Sequence, residues 1–397
     1  MLLSEDPARA FVPYPPVPVR NAAGGPLAGL SFGVKDLFDV AGYPTGAGNP
    51  LMLARSGIKT RTATIVTRLL EAGARFVGKT HTDELAYSMN GVNAHFGTPR
   101  NGGAPDRIPG GSSSGSASAV SNGLCDFAIG TDTGGSVRAP ASHCGLCGIR
   151  PTHGRVPLLG AVDLSPSFDT CGFFCREIAT FARVAAVMLE ADAAPLPPRI
   201  RLLLPRDAWA LIEGPAAEAL RGPRRRVEEA AGGAATEVDV ALDSFDAMYW
   251  SFRYLQGREA LQVHGAFIDR DAPPLGPGVR ERFAFARGIT DAQVAESTRF
   301  RARFRDHAAR LLGADGVLLL PTMPDTAPRL RDDDAALETY RNAALRLLCI
   351  AGLAGFPQLS LPLASREGAP LGLSLLGPPG SDASLVAIAA SVVGVPV

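Results

Sequence analysis

Apolar and polar positions change period along this chain, and the changes divide it. In the first third, short apolar runs alternate with segments of helical spacing. Residues 30–34 (Leu-Ser-Phe-Gly-Val) form a compact apolar run that reads as a strand ending at Lys35. Residues 62–72 set Ile65, Leu69 and Ala72 on one helical face, and Gly73 suits the stop. The pattern then predicts a strand over 75–77, an alanine- and serine-rich helix over 114–122, and a strand over 127–129 that enters a glycine loop. From 166 to 315 the spacing is mainly helical, with long periods over 245–264 and 291–312. Strand patterns return over 316–320, 358–363 and 371–376, each bounded by proline or glycine, and 383–393 predicts a closing helix. Strands from both ends of the chain around helices predict one large α/β domain over 1–397, a mixed twisted β-sheet flanked by helices. Within it, 166–315 is expected to be a variable, substrate-side region that forms a lid or wall.

Composition narrows the picture. A chain of 397 residues with 46% hydrophobic and 20% charged residues can bury a large core and is not disordered. Acidic and basic residues balance at 39 each, which gives no electrostatic reason to expect nucleic acid or an anionic membrane as partner. The arginines of 221–226 fit a solvated helix face. No window reaches the ~20 apolar residues of a membrane span. Residues 1–18 are proline-rich, carry Glu5 and Asp6, and lack the basic start and apolar core of a secretory signal. A cytoplasmic protein is expected, with a homodimer left open. Of the six cysteines, Cys144, Cys147, Cys171 and Cys175 have spacings that suit tetrahedral zinc, but their apolar flanks favour buried thiols.

The basic residues are uneven in kind. Lysine occurs only at Lys35, Lys59 and Lys79; all the others are arginine. Arginine cannot lose its proton at working pH, whereas a buried lysine can. Lys35 at the end of an apolar strand is therefore a candidate base. Two glycine-flanked serines accompany it, Ser112 in Gly110-Gly111-Ser112-Ser113-Ser114-Gly115 and Ser136 in Gly130-Thr131-Asp132-Thr133-Gly134-Gly135-Ser136. A nucleophile, a relay and a base other than histidine make up a Ser–Ser–Lys hydrolase. Glycines before Ser136 let the amides of Thr133, Gly134, Gly135 and Ser136 converge as an oxyanion hole, although an ordinary glycine turn fits the loop equally well. Asp132 and Arg138 read as an ion pair that supports the loop.

Two other motifs compete. Residues 73–80 satisfy the phosphate-binding string G-x-x-x-x-G-K-T, which would give Lys79 a role. That motif needs a strand before the loop and a helix after it, whereas here Gly73 follows a helix and Arg-Phe-Val prefers a strand. Residues 111–115 match G-x-S-x-G, which would make Ser113 the nucleophile, but the residues before them are loop-like rather than a buried strand.

The motifs resemble those of the amidase signature family. Lys35-Asp36, the 110–113 and 130–141 segments, Gly148-Ile149-Arg150-Pro151-Thr152, Ser167-Phe168-Asp169-Thr170 and Ala354-Gly355-Phe356-Pro357 carry the resemblance. Residues 33–40 and 90–101 look most like indole-3-acetamide hydrolases and their bacterial relatives. The resemblance implies Ser136 as nucleophile, Ser112 as bridging serine after a cis Gly111–Ser112 bond, and Lys35 as base. Lysine must be neutral to accept a proton, so its pKa must fall well below about 10.4. The resemblance also implies amide hydrolysis with no metal or organic cofactor. Phe168, Phe173, Trp250, Phe252 and Tyr254 are candidates for an aromatic substrate wall that would suit an arylacetamide. A glutaminase subunit of an amidotransferase and a non-catalytic protein on the same fold are the alternatives.

Overall fold

The computed structural model describes residues 5–212 and 214–395. Among them, ten strands join in one sheet: β1 (Ser31–Lys35), β2 (Arg75–Thr80), β3 (Phe127–Thr131), β4 (Cys147–Arg150), β5 (Cys171–Cys175), β6 (Arg201–Pro205), β7 (Thr236–Val238), β8 (Gly316–Pro321), β9 (Gln358–Arg366) and β10 (Ala369–Leu376). Their spatial order is β2-β1-β3-β5-β4-β9-β10-β8-β6-β7. The two ends of the sheet are parallel, β2-β1-β3 on one side and β8-β6-β7 on the other, and the strands between them pair antiparallel. The sheet is mixed and flanked by helices, as the alternating pattern predicts. No helix among the described residues is long and apolar enough to cross a membrane.

Aromatic residues set the register around β1. Phe32 is paired with Phe127 across the β1–β3 ladder and stacks on it at 5.3 Å, while Phe76 of β2 meets it edge-on at 6.1 Å. That packing fixes the strand ends: Lys35 closes β1 beside Thr80 of β2, and Thr131 closes β3. Both lie at the carboxyl ends of parallel strands, where open α/β sheets place their sites.

The region 166–315 is less uniformly helical than its pattern suggests. It contains the long helices Phe245–Asp271 and Asp291–Leu312, but also β5, β6 and β7. β5 sits near the middle of the sheet, buried along its whole length. A strand covered on both faces has no polar alternation to betray it. For the same reason Cys147–Arg150 carries no strand signal. Elsewhere the expected elements extend by a few residues: β2 runs to Thr80, β3 to Thr131, and the helix from Phe245 runs on to Asp271.

Candidate active site

Lys35 has no exposed surface. Its Nζ donates to Ser112 Oγ at 2.7 Å and to Thr131 Oγ1 at 2.8 Å. Burial disfavours the ammonium and lowers its pKa to about 7, against the opposing pull of Asp83, Asp169 and Asp132. The amine contacts hydroxyls rather than a carboxylate, so nothing next to it holds the proton firmly.

Ser112 is fully buried and follows a cis Gly111–Ser112 peptide bond. Its carbonyl accepts from the Asp83 N–H at 3.0 Å. Ser113, the rival nucleophile, is engaged with β3: its Oγ donates to the Thr131 carbonyl at 3.2 Å and accepts from the Thr131 N–H at 3.3 Å. Its own N–H reaches the Ser136 carbonyl at 3.3 Å, which ties the two serine loops together. At Gly130 a Cβ would stand 2.5 Å from Ser113 Oγ, so the tie requires glycine there.

Ser136 lines a small cleft whose wall also includes Tyr87, Ser88, Gly134, Gln256 and Arg341. The loop before it is built around Asp132. That carboxylate, with no exposed surface, accepts from the N–H groups of Gly135, Val137 and Arg138 at 2.9, 3.1 and 3.2 Å. Arg138 grips it with Nε at 3.0 Å and Nη2 at 2.9 Å, and Arg150 reaches it at 3.2 Å. Burial alone would raise the carboxyl pKa, but the two guanidiniums hold it well below the usual carboxylate range. Arg138 also donates to the Leu348 carbonyl at 3.0 Å and to Gln358 Oε1 at 2.7 Å.

These bonds correct the expected oxyanion set. The Gly135 N–H is committed to Asp132, which leaves Thr133, Gly134 and Ser136 as the amides to consider. Gly135 is needed for its backbone instead: its φ is 119°, and a Cβ there would collide with the Leu348 side chain. Thr133 is fixed by its side chain, which donates to Asp169 Oδ1 at 2.5 Å.

Most of the aromatic candidates lie elsewhere. Phe168 and Phe173 are fully buried core residues; the first packs edge-on against Phe252 at 4.9 Å, and the second stacks on Phe181 at 4.3 Å. Phe252 is buried beneath the Ser136 loop, where it blocks any side chain at Gly134. Trp250 and Tyr254 border a surface groove that shares no residue with the Ser136 cleft. An aromatic substrate wall is therefore not formed by these residues.

Lys79 is the other fully buried lysine, and its partner is Asp36 at 2.9 Å. The phosphate-loop string does not fold as a loop, because Arg75–Thr80 is the strand β2. The six cysteines are free and buried, and desolvation pushes the thiols of Cys144 and Cys147 up to about 12. Sequence reasoning missed Thr131 and Arg150. Thr131 had a visible signal: it ends the strand parallel to that of Lys35 and lies one residue before Asp132. Arg150, in a strand with no periodic signature, stood only within the 148–152 segment that carries the family resemblance, and nothing in the sequence marked its role.

The Amidase family profile matches residues 17–199 and 240–386. Amidase 1 of Arabidopsis thaliana is 41% identical over 94% of each chain. A glutamyl-tRNA(Gln) amidotransferase component of Methanothermobacter thermautotrophicus is 30% identical over 93% of this chain and 86% of its own. The crystal structure of an amidase superimposes with a TM-score of 0.84 at 32% identity, over 93% of this chain and 85% of that one. The chain belongs to the amidase family and is an amide hydrolase. The Arabidopsis relative is a plant Amidase 1, so these matches support the family without the narrower likeness to bacterial indole-3-acetamide hydrolases.

Proposed function

We propose that the protein hydrolyses a small-molecule carboxamide to an acid and ammonia through Ser136, Ser112 and Lys35. Uncharged Lys35 takes the Ser112 hydroxyl proton while Ser112 takes that of Ser136. Ser136 Oγ then attacks the amide carbon, and the carbonyl oxygen becomes an oxyanion facing N–H groups among Thr133, Gly134 and Ser136. Loss of one such donor typically raises a barrier by ~2.7–4 kcal/mol. As the C–N bond breaks, the relayed proton passes back through Ser112 to the leaving nitrogen. Water, activated by the same relay, releases the acid from Ser136. The helix Phe245–Asp271 would then form part of the substrate wall through Gln256, which borders the cleft.

One observation carries this reading: Lys35 Nζ lies 2.7 Å from Ser112 Oγ, with burial bringing its pKa to about 7. A lysine paired with a carboxylate could not serve. The arylacetamide preference loses its motive, because the aromatic candidates lie in the core or on a separate groove. Ser136→Ala should abolish ammonia release while thermal unfolding is unchanged, and an activated phosphonate should label Ser136 rather than Ser113. Full activity of Ser136→Ala would overturn the assignment. A glutaminase within an amidotransferase is the second reading, favoured by the likeness to the Methanothermobacter protein. It requires the isolated chain to release ammonia from glutamine in preference to other amides.

A further inference from the structure

Arg341 lines the Ser136 cleft, Arg282 and Arg253 stand near it, and the amide-hydrolysis relay has no use for the three. Arg341 is part of the cleft wall and only 4% exposed. It stands in the helix Asp334–Ala354, two turns inward from the start. Its Nη1 donates to Glu338 Oε1 at 3.2 Å, and its Nε is buried with no hydrogen-bond partner. Arg282, 6% exposed, comes from the helix Val279–Arg287. It donates to the Tyr87 carbonyl at 3.1 Å and to Glu338 Oε2 at 3.0 Å, and its Nε is also buried and unpartnered. Arg253 projects from the helix Phe245–Asp271, bonds Tyr249 Oη at 2.8 Å and lies over the Phe285 ring at 4.7 Å. Arg253, Arg282 and Glu338 border a wider cleft that shares Ser88 with the Ser136 cleft.

Two buried arginines share one carboxylate: Glu338 pairs with both Arg282 and Arg341. Asp334 and Glu281 also line the wider cleft, and Glu281 pairs with Arg280. Desolvation and the neighbouring guanidiniums lower Arg341 to about 9, as expected where cations crowd without enough anions. A buried arginine with unused donors is costly unless something anionic completes it. The position makes a ligand a natural completion, because the guanidinium borders the same space as the proposed nucleophile. Guanidinium suits a carboxylate in particular, since its planar donors match two oxygens at once.

We infer that the amide hydrolysed at Ser136 carries a carboxylate at its far end, held by Arg341 with Arg253 and Arg282 behind it. This rests on the assignment of Ser136 as nucleophile. The substrate is then a half-amide of a short dicarboxylic acid. An amino acid amide such as glutamine offers the same carboxylate, but its ammonium would enter a field of three cations.

The test compares glutaramic acid with pentanamide, which has a similar length and no charge. Wild type should favour glutaramic acid in kcat/KM by on the order of 10- to 100-fold. Arg341→Met should bring that ratio close to one, mainly through KM, and Arg341→Lys should restore part of it. A ratio near one in wild type, or one untouched by Arg341→Met, overturns the inference. Should Arg341→Met fail to fold, Arg253→Gln, at a less buried site, should lower the ratio in the same direction; an unchanged ratio there counts against the inference. Calorimetry on the Ser136→Ala protein separates the two claims. Binding of glutaramic acid but not pentanamide supports the carboxylate site, and equal or absent binding of both rejects it. Continued turnover by Ser136→Ala would instead sink the nucleophile assignment. Turnover of glutamine ahead of glutaramic acid would overturn the half-amide and assign the anion to an amino acid.

Discussion

Lys35 and Lys79 sit on neighbouring strands, both fully buried, and their surroundings give them opposite uses. Lys79 reaches a carboxylate, Asp36, which also accepts from Tyr14 Oη at 2.8 Å and from the Gly46 N–H at 3.0 Å. That pair is a structural joint between β2 and the turn after β1. Lys35 reaches two hydroxyls and no carboxylate. Desolvation lowers the pKa of both amines, but at Lys79 Asp36 opposes it by direct contact, whereas the acids around Lys35 act only from farther away. Burial alone therefore does not suit a lysine to the proposed role of base; burial without a contacting anion does. Asp36, adjacent to Lys35 in sequence but in the turn beyond β1, serves the other lysine.

The sharpest way to break this contrast is to replace each lysine by methionine. Lys35→Met should cost ~10²–10⁴ in turnover, the usual reach of a general base, with no loss of thermal stability. An equal loss from Lys79→Met would erase the distinction. Lys79→Met should instead remove about 3–5 kcal/mol of stability in denaturant, because it strands Asp36 without its partner. A variant that unfolds no earlier than wild type would show that the pair is not structural.

Smaller effects refine the contrast. The kcat/KM profile should rise with pH along a limb centred near 7, as Lys35 loses its proton. The folded pKa lies below the unfolded value of about 10.4, so the folded state binds fewer protons between those limits and stability should increase with pH across that window. Lys35→Met should flatten that rise, and an unchanged slope would point to another group. Smallest of all, Thr131→Val removes one acceptor from the ammonium at a cost of about 1 kcal/mol. The activity limb should then move to lower pH; a move upward would mean that Thr131 favours the neutral amine.

The fold class and the candidate site residues could be read from the chain more readily than some of the strands. Lys35, Ser112 and Ser136 stand in glycine-rich or apolar settings that few structural roles demand, so they can be picked out without neighbours. The helix Asp291–Leu312 was visible in full from its spacing. β4 and β5 were not, because strands buried on both faces lose the alternation that marks a half-exposed one. The aromatic candidates misled for a related reason: a large ring in a sequence does not announce whether it faces a cleft or the core. Gly135 could not be excluded from the anion-facing amides until the carboxylate that takes its N–H was located. Arg341 and Arg282 were hidden among many arginines. Only their convergence from separate helices sets them apart.

The anchorage of Arg138 bears on how the protein comes into being. By the time a ribosome has passed Ser136, the three residues proposed to react have all been made, yet the loop that carries Ser136 is not secured. Arg138 fastens it to Leu348 and Gln358, residues synthesised near the finish, and the Leu348 side chain closes over Gly135. A nascent chain is thus armed early but cocked late. A fragment ending before Asp334 should carry lysine and both serines and still release no ammonia, sparing the cell a half-built hydrolase.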